Sequence, residues 1–179
     1  YLSYYNSYIY NQVYEGFSQT PPDELLFRQP VEIDETANPE SSLAVAENFW
    51  NAWINNEDFT DFLAEDVEWT FHTAPSPEIL PYVGGYQGIE GVEESLGNYD
   101  EIIAPGERSI VDTFVEDNRV LIHLREEDAS IRSNGNEFDL DIYSWISVED
   151  GKLASVENVV DNHVVVDALF PDESYPLGP

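Results

Sequence analysis

The punctuation of the C-terminal half constrains this chain more than any other feature. Three polar turn signals, Asp117-Asn118, Ser133-Asn134-Gly135-Asn136 and Glu149-Asp150-Gly151, divide it into long runs rich in β-branched and aromatic residues. Runs that reverse at such short turns pair antiparallel with their neighbours. Strands are therefore expected at Ser109–Val115, Arg119–Ile131, Glu137–Val148 and Leu153–Asp161. An antiparallel meander can turn one face to a core and the other to water. In the third run Phe138, Leu140, Ile142 and Ile146 fall on one face, and Asp139, Asp141, Tyr143, Trp145 and Ser147 on the other. The polar face either lines a pocket or is an outer, solvated surface.

The preceding segment is helical with one strand. Asn38-Pro39 forms a helix start, the Asn side chain capping and Pro at the first helical position. Leu43, Ala46, Trp50, Trp53 and Ile54 recur at helical spacing until Asn55-Asn56. A short second helix is expected from Asp58 to Leu63. Val67, Trp69 and Phe71 alternate with polar residues as a strand does. A Pro- and Gly-containing loop from Ala74 to Gly88 leads to a third helix, about Ile89 to Leu96.

Charge decides which partners are excluded. The chain has 37 Asp and Glu against 6 Lys and Arg, a formal net charge of -31, and Lys152 is its one lysine. Such a surface repels nucleic-acid phosphates and anionic headgroups, so neither nucleic acid nor a membrane is expected as partner. Self-repulsion favours saline or calcium-containing surroundings that screen it. There is no Cys and no Met. A chain opening at Tyr1 is expected to be a processed mature form, at the cell surface or outside it, with the cytoplasm of a salt-adapted organism as the alternative. The three His are scattered and no EF-hand loop is present, so neither a metal centre nor a cofactor is expected. Asp139 with Asp141, or the Glu116-Asp117 turn, would hold Ca²⁺ only loosely.

Residues 1–40 form a separate arm. Tyr1, Leu2, Tyr4, Tyr5, Tyr8, Ile9, Tyr10, Tyr14 and Phe17 give it too much apolar surface to stand alone in water. Their spacing fits both a strand and a helix. Pro21, Pro22, Pro30 and Pro39 make the remainder extended. The expected organisation is an arm at 1–40, a domain at 41–170 and a tail at 171–179.

Four segments carry a family resemblance: AVAENFWNAWINNEDFTDFLAEDVEW, GGYQGIEGVEESL, VEDGKLASVENVVDN and the terminal VVVDALF. Taken together, from about Ser42 to Phe170, the chain resembles the SnoaL-like branch of the NTF2-like superfamily. The resemblance implies an α+β cone, a curved antiparallel sheet packed on three helices of the N-terminal half. It also implies a pocket at the cone's mouth, where enzymes of the family place a carboxylate or His and a Tyr. Asp161 matches the residue ending the last long strand, which is catalytic in some members and structural in others. The ketosteroid-isomerase branch has its base Asp at a position that falls here on Phe71 or His72, so that mechanism lacks its carboxylate.

Two functional readings follow. In the first, the aromatic arm docks on neighbouring subunits and the chain is a non-catalytic, self-assembling protein, a homo-oligomer or an extracellular filament. The absence of a clean catalytic pair favours this reading and weighs against an enzyme. In the second, the cone pocket binds or transforms a small hydrophobic molecule, as a cyclase, isomerase or hydratase would. His123 and Asp161 are then the acid/base pair, with Tyr143 beside them and His72 near the mouth.

Overall fold

A computed structural model describes residues 38–72 and 78–171. The expectations for the aromatic arm, for the start of the loop after the first strand and for nearly all of the C-terminal tail lie outside the described residues. Helix α1 spans Pro39–Ile54, with Asn38 accepting a hydrogen bond from the Glu40 N–H and Pro39 opening the first turn. Ser42, Ala46, Phe49, Trp50 and Trp53 form its buried stripe. The expected second helix is only a 3₁₀ turn at Thr60–Phe62, where the Asp58 side chain accepts from the Thr60 N–H and hydroxyl. Strand β1 (Leu63–His72) follows.

The chain resumes in a turn and enters β2 (Gly84–Gln87), within the stretch expected to be loop. Helix α2 (Gly88–Ile102) is longer than its apolar spacing predicts. Then come β3 (Ile103–Ala104), β4 (Glu107–Glu116), β5 (Arg119–Ile131), β6 (Glu137–Glu149), β7 (Lys152–Val160) and α3 (His163–Leu169). The four expected strands are present, joined by the expected turns. Asp117, Gly135, Asp150 and Gly151 take positive φ there, which short polar residues and glycine tolerate.

All seven strands form one sheet in the order β2-β1-β7-β6-β5-β3, with β4 also paired to β5. Every pairing is antiparallel except β1 with β7, which is parallel. Register shifts interrupt β1 with β7, β4 with β5, β5 with β6, and β6 with β7. Bulges of this kind bend a sheet and add twist. The bent sheet and the helices enclose a single core, so the fold is the α+β cone that the family resemblance implies.

Aromatic rings dominate that core. Trp50 packs on Phe49, Trp53 and Trp69 at centroid distances of 5.1, 5.4 and 5.8 Å. Phe71 meets Tyr82 at 5.5 Å, and Tyr82 meets Tyr99 at 5.0 Å. Edge-on pairs of this kind add to the burial of large rings, and truncating one such Trp to Ala costs about 3–5 kcal/mol.

Candidate functional site

Strand β5 alternates cleanly. Val120, Ile122 and Leu124 point into the core, and the same even spacing carries Glu126 inward after them. Glu126 is 1% exposed. A buried carboxylate is stable only when its oxygens are paired. Here Oε2 accepts from the Tyr99 hydroxyl at 2.7 Å. Oε1 accepts from the Gly106 N–H at 3.1 Å and from Arg108 Nε at 3.0 Å. Arg108 also reaches Asp100 at 3.0 Å and lies over the Trp53 ring, 3.8 Å from its centroid.

The backbone allows this because position 106 is glycine. A Cβ there would sit 1.8 Å from the Glu127 carbonyl oxygen, so any other residue must push β5 away and carry the N–H off Glu126. Beside this cluster, Tyr82 donates to Asn162 Oδ1 at 2.8 Å, and Ser144 donates to Asn158 Oδ1 at 2.6 Å. Burial, and after it the Glu126 charge, pushes both phenols, Tyr99 and Tyr82, well above the ordinary tyrosine range. The inner face thus holds a carboxylate, a guanidinium and two phenols that keep their protons, among aromatic walls. Glu126 is hidden in the sequence because it opens the acidic run Glu126-Glu127-Asp128. Its even spacing from Val120 was the available signal.

The residues singled out in the sequence lie elsewhere. His123 and Tyr143 are directly paired across β5 and β6, and their rings stack at 4.4 Å with planes 14° apart. They occupy the sheet face turned away from the core. The row continues to Val159 and His72 on one side and Asp112 on the other. His123 Nε2 lies 2.7 Å from Asp141 Oδ1, and Arg125 holds Asp141 and Asp139 at 3.1 and 3.3 Å. A shallow depression there is lined by Asp112, Thr113, Phe114, Leu121, His123 and Tyr143. Asp139 and Asp141, considered for calcium, are both engaged by Arg125. Among the described residues no group of three or more His, Cys, Asp or Glu is placed to hold a metal. No described helix is long and apolar enough to cross a membrane.

Asp161 follows β7, and its carboxylate accepts from the His163 N–H at 3.1 Å, as in a turn that starts a helix. No described hydrogen bond or ring contact joins it to His123. His72 is exposed and pairs with Glu157 at 3.1 Å, while Phe71 is buried in the core. Neither position supplies the carboxylate that the ketosteroid-isomerase mechanism requires.

Comparison with known proteins places the fold. The SnoaL-like domain family matches residues 46–156, and this chain belongs to that family. Among solved structures it is similar to a candidate isomerase from Rhodopseudomonas palustris, with 13% identity, 73% of this chain and 96% of that one covered, and a TM-score of 0.61. It is also similar to TerC co-crystallised with polyporic acid, with 16% identity, 72% and 98% covered, and a TM-score of 0.61. A candidate SnoaL-like polyketide cyclase from Mesorhizobium loti aligns at 13% identity over 65% of this chain and 96% of its own, with a TM-score of 0.53. No curated protein matches by sequence.

These findings correct one expectation. The reading of the chain as a non-catalytic, self-assembling protein does not stand. Structures sharing its fold carry the names of an isomerase and a cyclase, not of an assembly protein. On the inner face an acid, a phenol and a guanidinium are grouped among buried aromatic side chains.

Proposed function

We propose that this chain binds a small, largely apolar molecule within its SnoaL-like cone and acts on it by acid–base chemistry, in the manner of an isomerase, cyclase or hydratase. The observation that carries this reading is the buried Glu126–Tyr99 hydrogen bond, 2.7 Å long, on the inner face. A carboxylate and a phenol sharing one hydrogen bond are the elements needed to move a proton to or from a carbonyl compound. Glu126 and Arg108 fix the orientation of Tyr99, and the low-dielectric surroundings strengthen the Tyr99–Glu126 hydrogen bond, along which the proton would pass. The fold alone does not choose among these reactions.

The outer cluster supports a second reading of the site. His123 stacked on Tyr143 and bonded to Asp141, above the depression between β4, β5 and β6, has the imidazole–carboxylate pair of a general base. Asp161 and His72 are the further candidates of that reading.

One experiment separates the two. Thermal shifts with a panel of small cyclic ketones and enones, followed by product analysis, would be run on the wild type, Tyr99→Phe and His123→Ala. The inner reading expects ligand-dependent stabilisation that Tyr99→Phe abolishes and His123→Ala leaves intact. The reverse pattern moves the site to the outer face. If no compound stabilises or changes, the small-molecule reading is wrong.

A further inference from the structure

Two indoles of α1 point to an unmet need for an acceptor. The indole N–H groups of Trp50 and Trp53 are buried, with residue exposures of 0% and 6%, and have no acceptor among the described residues. Other buried polar groups around them are satisfied. Trp69 Nε1 donates to Ser95 Oγ at 3.1 Å, and Ser95 in turn donates to the Tyr82 carbonyl at 3.1 Å. Tyr82, Tyr99 and Ser144 all have acceptors. A buried N–H without an acceptor carries the full desolvation penalty of an unmade hydrogen bond, and such groups in a folded protein call for a reason. The two indoles lie about one turn apart on α1, with ring centroids 5.4 Å apart. Trp53 also touches the Glu126 cluster through Arg108 at 3.8 Å and Tyr99 at 5.9 Å.

We infer that Trp50 and Trp53 are the residues that select the ligand's oxygen: their indole N–H groups receive a carbonyl oxygen of a neutral, flat, apolar ring compound. This rests on the small-molecule reading above. The chemistry follows from the groups present. An indole nitrogen only donates, so its partner is an acceptor. Glu126 and the net charge of -31 disfavour an anion. Arg108 offers no free charge to compensate one, because Glu126 and Asp100 already engage it. The surrounding Phe49, Trp69 and Tyr99 rings favour a planar apolar body. A ketone meets these conditions; a carboxylate or phosphate does not. A site that hydrogen-bonds an oxygen rejects the analogue lacking it, because its donors would stay unpaired.

The test uses 9-fluorenone and fluorene, flat molecules of nearly one shape that differ in a carbonyl. Affinities are measured by NMR titration on the full chain, following the Trp indole ¹H–¹⁵N signals. Wild type is expected to prefer fluorenone by about tenfold or more. Two indole signals should move downfield with fluorenone and not with fluorene. Trp50→Phe and Trp53→Phe, which keep an aromatic ring and remove the N–H, should each reduce the preference several-fold, lowering fluorenone affinity much more than fluorene affinity. The wild-type indole shifts give a readout that does not depend on either variant folding. Equal binding of both probes, with no selective indole shift, overturns this inference and leaves the small-molecule reading intact. Binding of neither probe overturns this inference, and, if the ketone panel also fails, the function reading with it.

Discussion

Glu126 and His123 stand three residues apart on one strand, and the sheet keeps them on opposite sides. Each anchors a carboxylate-bearing cluster with a tyrosine and an arginine nearby. Inside, Glu126, Tyr99 and Arg108 are almost fully removed from water. Outside, His123, Tyr143, Asp141 and Arg125 are half-buried or exposed. The same residue types therefore carry different weight. Burial makes every unmet hydrogen bond expensive and every met one directional, whereas water and salt dissolve most of the value of an exposed pair. Chemistry that needs fixed protons belongs on the inner side.

The largest way to test that contrast is to remove the inner carboxylate. Glu126→Ala leaves Arg108 and Tyr99 without their buried partner, and a loss of about 3–5 kcal/mol in urea unfolding is expected. A loss below about 1 kcal/mol would make the two clusters equivalent and end the comparison.

Alkaline pH provides the next test. Tyr82 and Tyr99 have phenols raised in the folded state, so the unfolded chain binds fewer protons than the native one above about pH 10. Their contribution is fully present below that pH and is lost as pH climbs toward the folded values. Stability should fall by about 1.4 kcal/mol per pH unit for each of the two phenols. The 295 nm phenolate signal of these residues should then appear together with unfolding. Its appearance in the intact fold would show that the enclosure is wet.

Gly106→Ala should cost about 1–3 kcal/mol by forcing β5 away from the β3–β4 connection. The outer face is expected to respond least. Asp141→Asn should change unfolding by roughly 0–1 kcal/mol, and a double-mutant cycle between His123 and Asp141 should shrink toward zero in 1 M NaCl. A coupling that survives high salt would promote the outer cluster to a working site.

Much of the fold was legible because local signals agreed with one another. Asn38-Pro39 sets the start of α1, and Asp117-Asn118 and Asp150-Gly151 set the reversals of the meander. The strand β2 was hidden by its glycines, since Gly84 and Gly85 read as loop and are recruited into the sheet only by pairing with Phe71 and Thr70. Helix α3 was hidden by its valines, which favour strands in isolation. The site was less legible for a simpler reason. In a chain with 37 acidic residues, one inward carboxylate looks like the rest until the faces of β5 are assigned. Alternation puts Tyr143 on the polar face of its strand, but it cannot say which side of the sheet faces the helices.

The parallel pairing of β1 with β7 has a consequence for how the chain is made. Thr70 receives a bond from Asn158, 88 residues later. During synthesis β1 must wait, with Trp69 and Phe71 already translated, until the final strand leaves the ribosome. Until then an apolar strand edge stands open in the nascent chain, the condition under which polypeptides adhere to one another. Closing so distant a contact also slows folding. The dense negative charge then gains a second meaning. Like charge of this density opposes the approach of one unfinished copy to another.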